Sequence, residues 1–123
     1  MKLNPDCIRD ILLTVEDNCT INNGIRLPDN NFEKLNKYTI DELMYHVRQC
    51  ALSEFFYRVI EISDGSYFVT DLSPQGHEFL ADIRKDNNWN KVKEVSSKVG
   101  SNSLKAIMQI ASSVVADLIK QYI

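Results

Sequence analysis

The stretch that decides the fold is Asp71-Leu72-Ser73-Pro74-Gln75-Gly76-His77-Glu78-Phe79-Leu80. Ser73 is a favoured helix cap, and Pro74 suits the first position of a helix, where no amide hydrogen bond is needed. Apolar side chains then recur at helical spacing, namely Phe79, Leu80 and Ile83. The stretch therefore predicts a capped helix that ends near residues 86–88.

A β-hairpin is predicted directly before this helix. The apolar runs Phe55–Ile62 and Tyr67–Thr70 flank the pair Asp64-Gly65, and an Asp-Gly pair between two such runs is the strongest short-range hairpin signal. Gly76 stands alone, so it does not indicate a phosphate-binding loop. A close approach of the helix to the hairpin accounts for it.

Three elements are predicted upstream of the hairpin. Thr39-Ile40-Asp41-Glu42 is a capping box that opens a helix to about Leu52. Asn4 and Pro5 open an earlier helix that runs to about residue 17, and a short strand follows at Ile25–Leu27. Residues 29–37 fit either a short helix or an irregular connection.

Two helices are predicted downstream. The first begins at Trp89 and ends at Gly100, a residue type that often terminates helices. The last is capped within residues 101–103 and is apolar over nearly its whole length, which is too wide a stripe for a surface helix of a small monomer. It either completes the core or forms the seam of a homodimer, for which the candidates are Ile107, Ile110, Val114 and Leu118.

The order of helix, hairpin and capped helix is typical of a winged helix-turn-helix. The sequence thus predicts an α+β fold and one domain over residues 1–123. A winged-helix core would occupy residues 1–86, and a helical extension with two or three additional C-terminal helices would occupy residues 87–123.

The chain also resembles a family of small bacterial and prophage proteins known as domain of unknown function 2513. The resemblance is carried by residues 1–16, by Tyr45-His46-Val47, and by residues 72–84 together with Trp89-Asn90-Lys91-Val92-Lys93. It implies a winged-helix core with helical additions and no established catalytic activity. The family's usual glycine turn after the second helix is missing, because this chain reads Leu52-Ser53-Glu54-Phe55-Phe56 there.

A winged helix suggests DNA binding and transcription regulation, with the outer face of the helix 39–52 as the reading surface. The candidate DNA contacts are Tyr45, His46, Arg48, Gln49 and Arg58. This surface is poor in positive charge, however, since residues 1–83 carry 7 Lys and Arg against 14 Asp and Glu. Phosphate neutralisation dominates DNA affinity, so a protein-interaction module is the alternative prediction.

Positive charge is concentrated in residues 84–123, where 7 Lys and Arg face 3 Asp and Glu. The candidate basic patch consists of Arg84, Lys85, Lys91, Lys93 and Lys98. It is either a solvated helix face or a contact for a nucleic acid or an acidic protein.

Composition excludes several classes. No apolar run is long enough to span a membrane, and no signal-peptide pattern opens the chain, so we expect a cytoplasmic protein. The family resemblance implies a bacterial or phage origin. The three cysteines have no metal-binding spacing, which predicts free thiols and no metal site. No catalytic constellation or cofactor motif is present, so we expect a non-enzymatic protein.

Overall fold

The computed structural model describes all residues from Met1 to Ile123. The chain has a mixed α+β fold with five α-helices and a small antiparallel sheet. The helices are α1 (Pro5–Asn18), α2 (Ile40–Leu52), α3 (Pro74–Ile83), α4 (Asp86–Val99) and α5 (Leu104–Lys120). The strands are β1 (Ile25–Leu27), β2 (Val59–Glu61) and β3 (Tyr67–Val69), in the spatial order β1-β3-β2.

The residues form two compact units, 1–77 and 78–123. The boundary falls inside α3, ahead of residue 86, where the sequence places the end of the core. Each unit has buried apolar side chains of its own.

In the first unit, α1 packs against α2. Its apolar residues recur every three or four positions, so one face of the helix is buried throughout. The fully buried side chains of that face include Cys7, Ile11, Leu12 and Val15. The side chain of Asn4 caps the helix by accepting a hydrogen bond of 3.1 Å from the Asp6 amide.

The segment 29–37, for which the sequence allows either a short helix or an irregular connection, is irregular except for a single 3₁₀ turn at Glu33–Leu35. Leu35 is buried there. The segment is also held to α1, because the Tyr38 hydroxyl donates a 2.6 Å hydrogen bond to Asp10 and Lys37 lies 3.0 Å from the same carboxylate. Burial, followed by the hydrogen bond to Asp10, raises the pKa of Tyr38.

The first hairpin strand is shorter than the sequence predicts. β2 covers only Val59–Glu61, and Phe56 forms an isolated bridge with Leu72. Phe55 and Phe56 are both buried, whereas successive side chains of a regular strand point to opposite faces. The prediction of a strand from residue 55 was therefore wrong, because burying both rings is incompatible with regular alternation.

α2 ends in a turn at the position where the family resemblance implies a glycine that this chain lacks. Glu54 adopts a positive φ of 60°. The Glu54 amide donates to Ala51 and the Phe55 amide to Cys50, which is the hydrogen-bond pattern of a Schellman motif. A non-glycine residue thus occupies the left-handed position, and the helix ends at Leu52.

The deciding stretch behaves as predicted at its start. The Ser73 hydroxyl accepts a 3.0 Å hydrogen bond from the Gly76 amide and so caps α3. The Ser73 amide donates to the Phe55 carbonyl at 2.8 Å. A Cβ on Gly76 would lie 2.2 Å from that same carbonyl oxygen. Gly76 therefore does lie in a close approach, as predicted, but the approach is to Phe55, which precedes the hairpin strand β2.

The predicted helix ends in the second unit were wrong by a few residues. α3 ends at Ile83, and α4 already begins at Asp86. Lys85 has extended backbone dihedrals, so the polar residues that follow it form the first turn of α4 instead of a loop. Acidic Asp86 suits this position, since a helix N-terminus favours negative charge.

The remaining boundaries of the second unit follow the sequence. Gly100 ends α4 in the left-handed conformation, with φ 79°. The Ser103 hydroxyl caps α5 by accepting a 3.1 Å hydrogen bond from the Ala106 amide. α4 and α5 then pack against each other. No helix in the chain is long and apolar enough to cross a membrane.

Candidate functional site

The outer face of α2 is defined by how the helix is anchored. The Thr39 hydroxyl accepts a 3.1 Å hydrogen bond from the Glu42 amide, which fixes the first turn. Leu43 and Val47 are buried on the inner face. The opposite side of the helix is left accessible for contacts, with Arg48 exposed and Tyr45 half-buried.

His46 does not belong to the accessible face and is removed from the candidate DNA contacts. Its side chain is 0% exposed. Nε2 accepts a 2.7 Å hydrogen bond from the Asn4 amide, which leaves Nδ1 to donate to the Glu42 carbonyl at 2.7 Å. His46 therefore joins the start of α1 to α2, and its outward placement in the sequence interpretation was wrong.

The hairpin opposite α2 is held by its turn. Asp64 accepts hydrogen bonds from both the amide and the hydroxyl of Ser66, at 3.0 and 2.6 Å. Arg26 on β1 forms an ion pair with the same carboxylate. The bonds from Ser66, and to a lesser degree Arg26, lower the pKa of Asp64. The turn is thus braced from two sides.

A groove lies between α2 and the hairpin. It encloses about 510 Å³ and is lined by Asp41, Met44, Tyr45 and Arg48 of α2 and by Glu61 and Tyr67 of the hairpin, with Met1 at its edge. A smaller depression of about 380 Å³ shares Met44 and Gly65 with it. We call the two depressions together the α2–hairpin groove.

The charges of the α2–hairpin groove are mixed, with an acidic excess. Arg48 stacks over the Tyr45 ring, with 5.7 Å between the guanidinium carbon and the ring centroid. Burial and then the Glu61 carboxylate raise the pKa of Tyr67, while Arg48 opposes that rise. Asp41 and Glu61 thus outnumber the single arginine in the larger depression.

Of the five candidate DNA contacts, Tyr45 and Arg48 come together in this groove. Arg58 is exposed on the hairpin, where its guanidinium lies 5.5 Å from the Tyr57 ring centroid, but it does not line the groove. Gln49 is half-buried and does not line the groove. The sequence interpretation missed the groove itself, although the spacing of Asp41, Tyr45 and Arg48 by three and four residues could have indicated one helix face.

The candidate basic patch lies in the second unit, and all five of its residues are exposed. Its charge is partly balanced, since Glu94 lies 3.1 Å from Lys98 and 3.9 Å from Lys91. Lys98 first and then Lys91 lower the pKa of Glu94. Lys93 lies 5.8 Å from the ring of Trp89, which is buried. Arg84 and Lys85 are the two residues between α3 and α4.

The candidate dimer seam divides into two groups. Ile107 is only 1% exposed and belongs to the interior, so it was wrongly placed on a seam. Ile110, Val114 and Leu118 are half-buried and keep accessible apolar surface. The homodimer itself stays a prediction.

The structure contains no group of three or more His, Cys, Asp or Glu residues that could hold a metal ion. The three cysteines are free. Burial is the main cause that raises the pKa of Cys7 to about 12 and that of Cys19 to about 11. A thiol with such a pKa is a poor nucleophile near neutral pH.

Comparison with known proteins identifies relatives over most of the chain. The model of the family described as hypothetical protein (DUF2513) matches residues 2–102. A protein of Haemophilus influenzae described as uncharacterized is 32% identical over 120 residues, which are 97% of this chain and 99% of that protein. No solved structure matches the chain significantly. The family match includes α2 and the hairpin and ends before α5.

Proposed function

This chain belongs to the DUF2513 family of hypothetical proteins, and we propose that it is a protein-binding module of winged-helix type. The binding surface is the α2–hairpin groove. Its occupant is a segment of a partner protein that carries apolar and basic side chains.

The order of elements in residues 1–77 supports the winged-helix part of the proposal. A helix, a strand, a short helical turn, a second helix and a hairpin follow one another, and the sheet order is β1-β3-β2. In a winged helix-turn-helix, α2 would be the recognition helix and β2–β3 the wing. The 3₁₀ turn Glu33–Leu35 stands where such folds have their first turn-flanking helix.

The acidic character of the surface is the observation that carries the proposal. The carboxylates of Asp41, Glu61 and Asp64 line the groove against the two guanidinium groups of Arg48 and Arg26, and the segment 39–71 as a whole contains six Asp and Glu against two Arg. DNA affinity depends on neutralising the phosphates with Lys and Arg side chains. An acidic surface would repel the DNA phosphates. A basic partner segment would instead be attracted.

Apolar groups supply the second half of the argument. Ile40, at the start of α2, is 57% exposed. It lines the smaller depression with Met44, and Met44 also lines the larger one beside Tyr45. Methionine adapts its shape readily to a partner, and tyrosine is enriched in protein interfaces. A groove that combines these apolar side chains with an excess of carboxylates fits a protein segment better than a duplex.

DNA binding with transcription regulation is the second candidate function. It is favoured by the element order and by two exposed arginines, Arg48 on α2 and Arg58 on the hairpin. In this case Arg48 would read a guanine edge and Arg58 would contact phosphate. The two functions differ in salt behaviour, because phosphate contacts make affinity fall steeply with added salt.

The first experiment measures fluorescence anisotropy of a short random DNA duplex at low salt. The protein-binding proposal expects no saturable signal up to tens of micromolar protein, a concentration that lies within the usual Kd range of non-specific DNA binding, about 10⁻⁶–10⁻⁴ M. Saturable binding that weakens with salt and with Arg48→Ala would instead support the second candidate.

The second experiment places a photo-crosslinking phenylalanine analogue at position 45 and, as a control, at position 21 in bacterial cells that express the protein. Ile21 is 98% exposed and lies outside the groove. We expect a protein adduct at position 45 only. Glu61→Lys should abolish it, whereas Glu33→Lys, an equal charge change at another exposed site, should not. An adduct that survives Glu61→Lys, or none at position 45, refutes the proposal.

A further inference from the structure

The second unit has a separate apolar surface on α5, because this helix is buried in its first half and partly exposed in its second half. Ile107 and Ala111 in the first half of the helix are buried. Val114 and Leu118 continue the same stripe at helical spacing but are only half-buried, and Ile119 is 53% exposed. The apolar stripe thus extends two turns beyond the part that the unit covers.

A groove of about 750 Å³ opens along this uncovered part. One wall is apolar and is formed by Val115, Leu118, Ile119 and Tyr122. The other wall is formed by the end of α3 and the start of α4, and it contributes Ala81, Arg84, Lys85 and Asn87. We call it the α5 groove. Its volume lies within the range of ligand-binding clefts.

The polar wall of the α5 groove is suited to negative charge. Arg84 and Lys85 are both exposed. Lys85 is the N-cap of α4, and its own side chain makes no capping hydrogen bond, so its charge lies beside the N-terminal end of the helix, which carries partial positive charge. Asp86 occupies the first turn of α4 but does not line the groove. Two cations therefore face an apolar wall across an open cleft.

We propose that the α5 groove binds an acidic amphipathic helix of a partner protein. Such a helix would place apolar residues at positions i, i+3, i+4 and i+7 against Val115, Leu118 and Ile119. Its acidic residues would lie against Arg84 and Lys85. The proposal concerns a second binding surface and is independent of the α2–hairpin groove, which lies in the other unit and has the opposite charge.

Charge is the reason to prefer such a partner over a second copy of this chain. A symmetric dimer places the same patch of both copies face to face. Such an interface would collect Arg84 and Lys85 from both copies, four cations in all, with no acidic side chain among the lining residues to pair with them, and an excess of like charge in an interface is unfavourable. An acidic helix covers the same apolar residues and pairs with the cations.

The test uses two synthetic helical peptides on the full-length chain. One has leucine at helical spacing and glutamate elsewhere, and its counterpart has lysine at every glutamate position. Fluorescence anisotropy should give saturable binding of the glutamate peptide and binding at least about tenfold weaker for the lysine peptide, a difference of about 1.4 kcal/mol. Equal binding of both peptides, or no binding of either, overturns the proposal.

Variants locate the binding. Lys85→Glu should lower the affinity for the glutamate peptide about tenfold. Lys98→Glu makes the same charge change near the other end of α4 and should leave that affinity unchanged. Leu118→Asp should abolish binding, and Ser112→Asp on an exposed position of α5 should not. Circular dichroism of each variant confirms that it is folded.

Analytical ultracentrifugation at several protein concentrations tests whether a second copy of the chain occupies the α5 groove, because it measures the oligomeric state. A dimer that Leu118→Asp converts to a folded monomer would mean that a second copy covers the α5 groove, and the proposal would be overturned. A monomer at all concentrations, together with the peptide result, supports it. Neither outcome depends on the DNA or crosslinking experiments in the first unit.

Discussion

Gly76 is the position where one methyl group should disturb the fold most. It lies in the first turn of α3, directly over the backbone of Phe55. A Cβ in Gly76→Ala would be 2.2 Å from the Phe55 carbonyl oxygen and 3.0 Å from its carbonyl carbon. Both neighbours are backbone atoms, so no side-chain rotation can relieve the overlap.

The expected cost combines three effects. Overpacking of this kind costs about 1–3 kcal/mol. Displacing the Phe55 carbonyl also strains the 2.8 Å hydrogen bond that it accepts from the Ser73 amide, worth about 1 kcal/mol. Alanine regains up to about 1 kcal/mol as a better helix former than glycine. The net expectation is a loss of roughly 2 kcal/mol, which lowers Tm by about 10 °C in a domain of this size.

Urea denaturation followed by circular dichroism measures this loss. Gly100→Ala is the matched control, because Gly100 has φ 79° but nothing within 4 Å of an added Cβ. Only the left-handed backbone is penalised there, by about 1 kcal/mol. Gly76→Ala should therefore be the more destabilising of the two. A Gly76→Ala protein as stable as wild type, or more stable than Gly100→Ala, would refute the close approach.

Four other predictions concern single side chains. Glu54→Gly should stabilise the chain by about 0.5–1 kcal/mol in urea denaturation, because glycine adopts the left-handed end of α2 without a steric penalty. Tyr38 has a pKa raised above its ordinary value of 10.0 by burial and by the hydrogen bond to Asp10; its contribution to stability should be complete below pH 10 and fall as the pH rises further, and Tyr38→Phe should flatten that fall. Nitrogen NMR should find the His46 proton on Nδ1, since Nε2 accepts from the Asn4 amide; a proton on Nε2 would contradict the assignment. Cys7, whose pKa burial raises to about 12, should react with a thiol reagent at pH 8 only after unfolding, so rapid labelling of the native protein would count against its burial.

The elements that depend on local chemistry were predictable from the sequence. Thr39, Ser73 and Ser103 act as caps in the structure because a hydroxyl needs only the amides of the next turn. The Asp64-Gly65 turn likewise depends on neighbouring residues. Such signals are complete within four or five positions, and they determined where four of the five helices begin, all except α4.

Features that depend on distant partners were not predictable. His46 has the spacing of the buried face, three residues after Leu43 and four before Cys50, but its polar ring can be buried favourably because the Asn4 amide, 42 positions away, supplies a hydrogen-bond partner that the sequence does not reveal. The early end of α3 and the bend at Phe55 likewise depend on which side chains the fold buries. The α2–hairpin groove was missed for the same reason, since its two walls are separated along the chain.

The two grooves together argue for a particular kind of protein. The first unit carries 7 Lys and Arg against 12 Asp and Glu, and the second unit carries 7 against 5. The lining of one groove combines apolar groups with an excess of carboxylates, and that of the other combines them with two cations. Surfaces of opposite charge would select different partners, because each would repel what the other attracts. If both proposals hold, the chain binds two different proteins, and losing one groove by mutation should leave binding at the other intact.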